Sequence, residues 1–338
     1  MPKEDPLGPD KLDHARRLAR LAFRGLSPQE AYDLAFYGHF LTSDPLGRVP
    51  TFLGTNQRDT IRPAIERTFR DLPDGGLVVD LAAGDGATVL PAVPPEVEAR
   101  FVLVEPSPEA VGDYLLAIEE APNLEMAALP LAVEAGGIEG NPVWHEATEG
   151  GIDLALCIHG IYFLDVPRVL KTIYRGLRPG GTILIVYADE RRGLTGAAID
   201  HHLRRTGRDD QAQEFQARLR ARDLLLSSEV GPGTTTDLLQ SAGEVAPVVT
   251  VDVIESAAFA PTLQGLSAIG LISGLSYIGE EHDGPMDETK ASSLIDVLAH
   301  DPERLQFGVV DDPDDPRCGH FRASQPQRVV AIRRPVAN

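Results

Sequence analysis

The sequence predicts an α/β fold built on a doubly wound, mostly parallel sheet of seven strands. Three observations predict it. Short apolar runs alternate with helical spacings through the middle of the 338-residue chain. Two successive runs, Leu77-Val78-Val79-Asp80-Leu81 and Phe101-Val102-Leu103-Val104-Glu105, carry an acid at or near their ends, and the first runs on into small residues. Two further apolar runs, 248–253 and 328–333, come late and are separated by helical stretches, which points to an antiparallel edge strand.

The elements follow in order. Residues 10–24 place Leu12, Ala15, Leu18, Ala19, Ala22 and Phe23 at amphipathic helical spacing. Ser27-Pro28-Gln29-Glu30 is a helix start, with a serine cap, proline in the first turn and glutamate at the capping-box position; that helix reads to about Leu41. Thr55 or Asn56 caps another helix through Phe69, and Pro73-Asp74-Gly75-Gly76 is a turn. Strand 77–82 leads to a short helix near 86–92, and strand 101–105 to a helix over 107–121 capped by Ser107. A weaker strand follows near 124–129. Residues 136–151 read as loop, 152–158 as strand, 165–177 as helix, 177–181 as turn and 182–188 as strand. Beyond Ala188 come one or two charged helices over 193–226, a short helix at 235–242, strand 248–253, a mostly helical stretch 262–305 with an acidic turn at 280–287, and the closing strand 328–333. His201 and His202 read as a solvated helix face, with no metal site. Three regions result: an N-terminal helical lid over 1–75, a core over 76–190, and residues 191–338 as the end of the sheet with helical insertions.

Bulk composition narrows the function. Acids number 51 against 31 bases, a formal charge of −20, which opposes binding to nucleic acid or an anionic membrane. Two distant cysteines, Cys157 and Cys318, make no disulfide framework and fit a reducing cytoplasm. The first residues show no apolar signal segment, and 262–278 is too interrupted by polar residues and glycines to read as a membrane span. A homodimer is compatible with all of this.

The chemistry concentrates after the first strand. Ala82, Ala83, Gly84, Asp85 and Gly86 leave a nearly bare backbone, which a nucleoside lying against the strand end requires. Glu105, at the end of the second strand, can accept from both ribose hydroxyls. A dinucleotide enzyme shares both features, so an NAD-dependent oxidoreductase stays open. Against it, the third small residue of a G-x-G-x-x-G turn is replaced by Val89.

The run Asp80-Leu81-Ala82-Ala83-Gly84-Asp85-Gly86, then Glu105, then Asp153-Leu154-Ala155-Leu156-Cys157-Ile158-His159, then Leu177-Arg178-Pro179-Gly180-Gly181-Thr182-Ile183, resembles the class I S-adenosylmethionine-dependent methyltransferases over residues 76–190. The resemblance implies a Rossmann-like core, S-adenosyl-L-methionine as cofactor, and methyl transfer. Ala82 stands where that family usually has its first turn glycine. A weaker resemblance is to the histamine N-methyltransferases, carried by Val104-Glu105-Pro106-Ser107-Pro108-Glu109, Trp144-His145-Glu146-Ala147-Thr148 and Ile158-His159-Gly160-Ile161-Tyr162-Phe163. It implies that Pro106 and Ser107 belong to the ribose-binding segment, that Thr148 sits near the adenine, and that Cys157 and Ile158 line the cofactor.

For the transfer, a sulfonium is already electrophilic, so the protein must hold a nucleophile in line and exclude water. His159 is the candidate base, since an ordinary imidazole titrates near 6.5. Tyr162 is the second catalytic candidate. Asp80 is expected either near the methionine amino group or bonded to backbone amides of the turn. Tyr37, His39 and Phe40, with Asn56 and Gln57, form the candidate lid and acceptor pocket. The expected acceptor is a small organic molecule methylated on nitrogen or oxygen. Transfer of the aminocarboxypropyl group, or ring closure with release of methylthioadenosine, is the alternative use of the same cofactor.

Overall fold

A computed structural model describes residues 54–131, 135–260, 288–315 and 317–336, with residues 263, 266, 267, 269 and 270 between them. The predicted helices at 10–24 and 28–41, and the acidic turn at 280–287, lie outside the described residues. The chain divides into two compact units. One comprises residues 58–188, 220–254 and 327–338; the other comprises residues 1–57, 189–219 and 255–326.

The first unit holds the predicted sheet. Its strands are β2 (Gly76–Leu81), β3 (Ala99–Val104), β4 (Leu124–Met126), β5 (Ile152–Ile158), β6 (Leu177–Ala188), β7 (Val248–Ile254) and β11 (Gln327–Arg333), in spatial order β4-β3-β2-β5-β6-β11-β7. β2 pairs in parallel with both β3 and β5, so the strand order reverses there, and the carboxyl ends of these strands are where an open α/β sheet takes a ligand. The antiparallel strand is β11, which pairs with β6 on one side and β7 on the other. It therefore lies one place in from the edge at which it was expected. The edge strand is β7.

Both faces are covered because the strands are apolar on both faces. On one face α1 (Gln57–Arg70) contributes Ile61, Ile65 and Phe69, and α2 (Pro108–Glu119) contributes Tyr114 and Ile118, against Val78, Phe101, Leu103 and Leu156. On the other face Trp144 of α3 (Pro142–Thr148) and Val169, Leu170 and Ile173 of α4 (Val166–Gly176) pack on Leu77, Val79, Ala155 and Ile183. α1 is thus a core helix of the sheet unit, and residues 58–75 are not part of a lid. Ser107, Asn141 and Asp165 cap α2, α3 and α4, each followed by proline in the first turn. The Asn141-Pro142 signal was present in the sequence, and the stretch 136–151 is not simply loop. It holds a 3₁₀ turn, Ala135–Gly140, and α3.

The run 177–181 is the irregular start of β6 rather than a separate turn. The register with β5 shifts between Ile152 and Leu154, Gly180 has φ +89°, and a Cβ on Gly181 would come within 2.8 Å of the Ile152 carbonyl oxygen. Asp153 ties this amino edge together. Its carboxylate accepts from the Leu77 N–H at 2.9 Å and from Nη1 of Arg178 at 2.9 Å.

The second unit contains α5 (Leu194–Arg205), most of α6 (Asp209–Leu225) and α7 (Glu288–His300). It also contains a four-stranded antiparallel sheet in the order β1 (Gly54–Thr55), β8 (Ala257–Ala260), β10 (Phe321–Ser324), β9 (Gly308–Val309). This sheet was not predicted. Its strands span two to four residues, and Ala257-Ala258-Phe259-Ala260 has little β propensity, so pairing partners hold it. Leu194, Ala198, Ile199, Phe215, Leu294 and Leu298 pack on Ala258, Ala260 and Ala323. His202 is buried here with Nε2 2.9 Å from Nη2 of Arg208, so it is not on a solvated face. Among the described residues no helix is long and apolar enough to cross a membrane.

Candidate active site

The cleft is built from the carboxyl ends of β2, β3 and β5. Register places Asp80 beside Leu103 and Leu156, on the face covered by α1 and α2. Two-residue alternation brings Glu105 and Ile158 to that same face. Asp80 is buried, and the Tyr114 hydroxyl of α2 donates to its Oδ2 at 2.9 Å. Burial pushes the Asp80 carboxyl up to about 8, and Glu105 adds to the rise, while the Tyr114 hydrogen bond works against it. Asp80 therefore bonds a side chain of α2, not the turn amides.

Glu105 is also buried, and its two oxygens are oriented by the backbone. Oε2 accepts from the Gly84 N–H at 3.0 Å and Oε1 from the Ser107 N–H at 2.9 Å. A carboxylate has about four acceptor sites, so each oxygen retains capacity for a ligand hydroxyl. Ser107 caps α2 through its hydroxyl, and Pro106 bridges the strand end to that cap.

The turn after β2 departs from expectation. It opens no α-helix; only a 3₁₀ turn, Leu90–Ala92, follows. Ala82, Gly84 and Gly86 have φ of +51°, +58° and +74°. At Gly86 an added Cβ would meet the Tyr114 ring at 2.9 Å. At Gly160, across the cleft floor, an added Cβ would lie 2.5 Å from the Ala82 methyl. The methyl that replaces the usual first glycine thus occupies room left by a glycine at 160. Asp85 is half-buried and accepts from the Ala87 N–H at 3.0 Å.

His159 follows β5 directly, in a left-handed conformation with φ +57°, its N–H donating to the Val186 carbonyl at 2.8 Å. The ring is buried, and burial together with the Arg58 charge pushes it down to about 4. The expectation of an imidazole titrating near 6.5 is therefore corrected: His159 is neutral throughout the physiological range. Tyr162 lies in the 3₁₀ turn Ile161–Phe163, and its oxygen accepts the Ala188 N–H at 2.7 Å. That contact holds the end of β6.

Three further expectations change. Thr148 ends α3, four residues before β5 begins, and its hydroxyl donates to the Trp144 carbonyl. It lies at the amino edge of the sheet, about 20 Å of strand away from the carboxyl ends, so it is not near an adenine in this cleft. The Cys157 side chain points to the opposite face, into an apolar void lined by Leu81, Ile161, Leu164, Val169 and Ile185. Burial pushes its thiol up to about 12. The Asn56 side chain accepts from the Ala257 N–H at 2.8 Å within the small sheet, and Gln57 is buried at the start of α1; each is described within its own element. Tyr37, His39 and Phe40 lie outside the described residues.

One stretch had been overlooked. After β4, residues 127–131 run beside the end of β3: the Leu131 N–H donates to Leu103, and the Glu105 N–H donates to Leu131. Leu129 there is 80% exposed. An exposed leucine next to the acidic strand end was the available signal.

The residues present suit S-adenosylmethionine better than a dinucleotide. Asp85 and Glu105 are acids, which favour ammonium, sulfonium and hydroxyl groups and repel a pyrophosphate. No α-helix N-terminus stands behind the turn to seat one. A family model described as "Methyltransferase domain" matches residues 53–226, more than half of the chain. The chain belongs to the methyltransferases. Its cofactor is S-adenosylmethionine, and the NAD-dependent oxidoreductase reading falls. No curated protein matches this methyltransferase. Solved structures are similar to it at low identity. One is a Bacillus halodurans protein carrying a provisional methyltransferase name, with 13% identity, covering 81% of this chain and 99% of that one, at a TM-score of 0.48. The YcgJ protein of Bacillus subtilis has 14% identity, 82% and 98% coverage and a TM-score of 0.45. A Haemonchus contortus phosphoethanolamine N-methyltransferase has 14% identity, 92% and 60% coverage and a TM-score of 0.43.

Charge burial in this cleft has a stability consequence. Unfolded, an aspartic acid loses its proton near pH 4, whereas folded Asp80 holds it to about 8. The stability gained is complete below pH 4 and is lost as pH rises through 8. His159 works in reverse, because its folded value of about 4 lies below the unfolded 6.5. Its share is complete above pH 6.5 and is lost as pH falls through 4. The two oppose each other between pH 4 and 6.5, which leaves a net loss from 6.5 to 8. Thermal melts of the ligand-free protein should fall across that interval, and Asp80→Asn should level them. A flat wild-type curve would mean that Asp80 is already ionised at neutrality.

Proposed function

We propose that this methyltransferase acts on nitrogen or oxygen of a small organic acceptor. One observation carries the acceptor class. The chain has a net charge of −20, and the strand-end turn itself adds Asp85 and Glu105, a field that repels polyphosphate chains. Bound S-adenosylmethionine supplies an electrophilic methyl group on sulfur. Glu105, held by two backbone amides, accepts from the ribose hydroxyls. Asp80 faces the cationic end of the ligand. Ala82, Gly84, Asp85 and Gly86 form the bare turn against it, Pro106, Ser107 and Ile158 bound the cleft, and Leu129 offers an apolar face for the adenine. Incubation with methyl-labelled donor, a panel of small amines and phenols, and total RNA tests the acceptor. Label in the small molecules is expected, and label confined to RNA would overturn the reading. S-adenosylhomocysteine is the expected product; methylthioadenosine would instead mean transfer of the aminocarboxypropyl group or ring closure.

His159, neutral and buried, orients the acceptor by a hydrogen bond and brings no positive charge towards the sulfonium. His159→Asn should keep most of the rate, since asparagine tolerates the left-handed backbone and still hydrogen-bonds. His159→Leu should slow turnover by about 10²-fold or more with little change in donor affinity. Between pH 5.5 and 7.5 the turnover rate should show no break that His159→Asn removes. Such a break would mean that the imidazole titrates during the reaction.

A further inference from the structure

We propose that Asp80 and Tyr114 form a proton-holding pair beneath the cleft that gives up one proton to solvent when the methyl donor, which carries one net positive charge, binds. The site thereby discriminates the sulfonium from the thioether product. This rests on the reading of the cleft as the cofactor site.

The geometry is that of a carboxyl enclosed by one helix and one turn. Asp80 is 1% exposed and Tyr114 fully buried, with the hydroxyl 2.9 Å from Oδ2. The Tyr114 ring lies against Gly86, where it leaves no space for a side chain. One tyrosine therefore braces the turn and fixes the carboxyl below it. Glu105 acts on the pair from the end of β3 and Asp85 from the turn. Both are acids. Among the described residues the charges acting on the pair are negative, so the carboxyl keeps its proton near neutrality until positive charge arrives.

S-adenosylmethionine carries an ammonium, a carboxylate and a sulfonium, a net single positive charge; the product keeps the ammonium and carboxylate, loses the sulfonium, and is net neutral. Against the donor, the Asp80 O–H bond breaks, the proton passes to buffer, and the carboxylate that remains is matched by ligand charge. Tyr114 retains its own proton and donates to that carboxylate. Tyr114 is a positioning residue, since it acts through Asp80. Loss of its hydrogen bond raises the pH at which Asp80 ionises, because that bond favours the charged carboxylate.

The test is calorimetric titration of the full chain with S-adenosylmethionine and with S-adenosylhomocysteine, each in two buffers of different ionisation enthalpy. At pH 6.5 the donor should release about one proton and the product clearly less. Donor affinity should tighten roughly tenfold per pH unit up to about 8 and then level off. Tyr114→Phe, which keeps the ring against Gly86, should move that bend to higher pH. Asp80→Asn should bind donor with no proton released and no bend. Buffer-independent heats, equal proton counts for the two ligands, or an unmoved bend in Tyr114→Phe would each overturn the pair while leaving the cofactor site intact. Absence of heat with either ligand in the wild type would remove the cofactor site, and this inference with it.

Discussion

Replacing Glu105 by alanine will weaken S-adenosylmethionine binding by roughly 1.5–3 kcal/mol, about 10- to 150-fold in Kd. The lost ribose acceptor is only part of the reason. The Glu105 carboxylate is also the acceptor for the Gly84 and Ser107 N–H groups, so its removal leaves two backbone donors of the cleft without their partner. The turn after β2 and the cap of α2 then lose a common anchor, and the melting temperature should fall as well. Glu105→Gln separates the two roles. Its amide oxygen can accept from one backbone N–H, but its NH₂ faces the other donor, so affinity should lie between wild type and alanine. Calorimetry reads the affinity and thermal melts read the fold. If Glu105→Ala binds donor as tightly as wild type, Glu105 is not part of the site.

The second large effect lies across the cleft floor. Gly160→Ala should destabilise the fold by roughly 1–3 kcal/mol, because the new methyl would come 2.5 Å from the Ala82 Cβ and 3.2 Å from the Leu81 carbonyl oxygen. Neither neighbour is the loose end of a flexible side chain. Ala82→Gly alone should be nearly neutral. It relieves roughly 1–2 kcal/mol of left-handed strain at φ +51° while adding freedom to the unfolded chain. The double variant should recover most of the loss, and a double-mutant cycle should return a coupling above ~1 kcal/mol. An equal cost for Gly160→Ala in both backgrounds would show that the Ala82 methyl is not what excludes a side chain at 160. Donor affinity should follow the same order, since Ala82 belongs to the turn that would bear on the ligand.

Much of this was written in local sequence. Strands β2, β3 and β5 are apolar on both faces, and β2 and β3 carry an acid at or beside their ends, which identifies a parallel sheet with a ligand site at its carboxyl edge. The caps at Ser107 and Asp165 announce α2 and α4 for the same local reason: a side chain satisfies an amide two or three residues on. Two expectations came from a resemblance and not from local spacing, and position in space bears on both. Thr148 is ten residues from Ile158, yet a full strand separates it from the carboxyl edge. Cys157 neighbours Ile158 but points to the other face, because strand side chains alternate.

By itself the sequence determined the α/β alternation, the carboxylates at the strand ends and the bare turn, because spacing, caps and small residues act over a few positions. Only the tertiary structure decided the protonation of Asp80 and His159, the bracing of the turn by Tyr114, the exchange of methyl and hydrogen between Ala82 and Gly160, and the small antiparallel sheet. Desolvation and steric exclusion depend on which distant segments close around a group. The separation of 34 positions between Asp80 and Tyr114 carries no local mark of that contact.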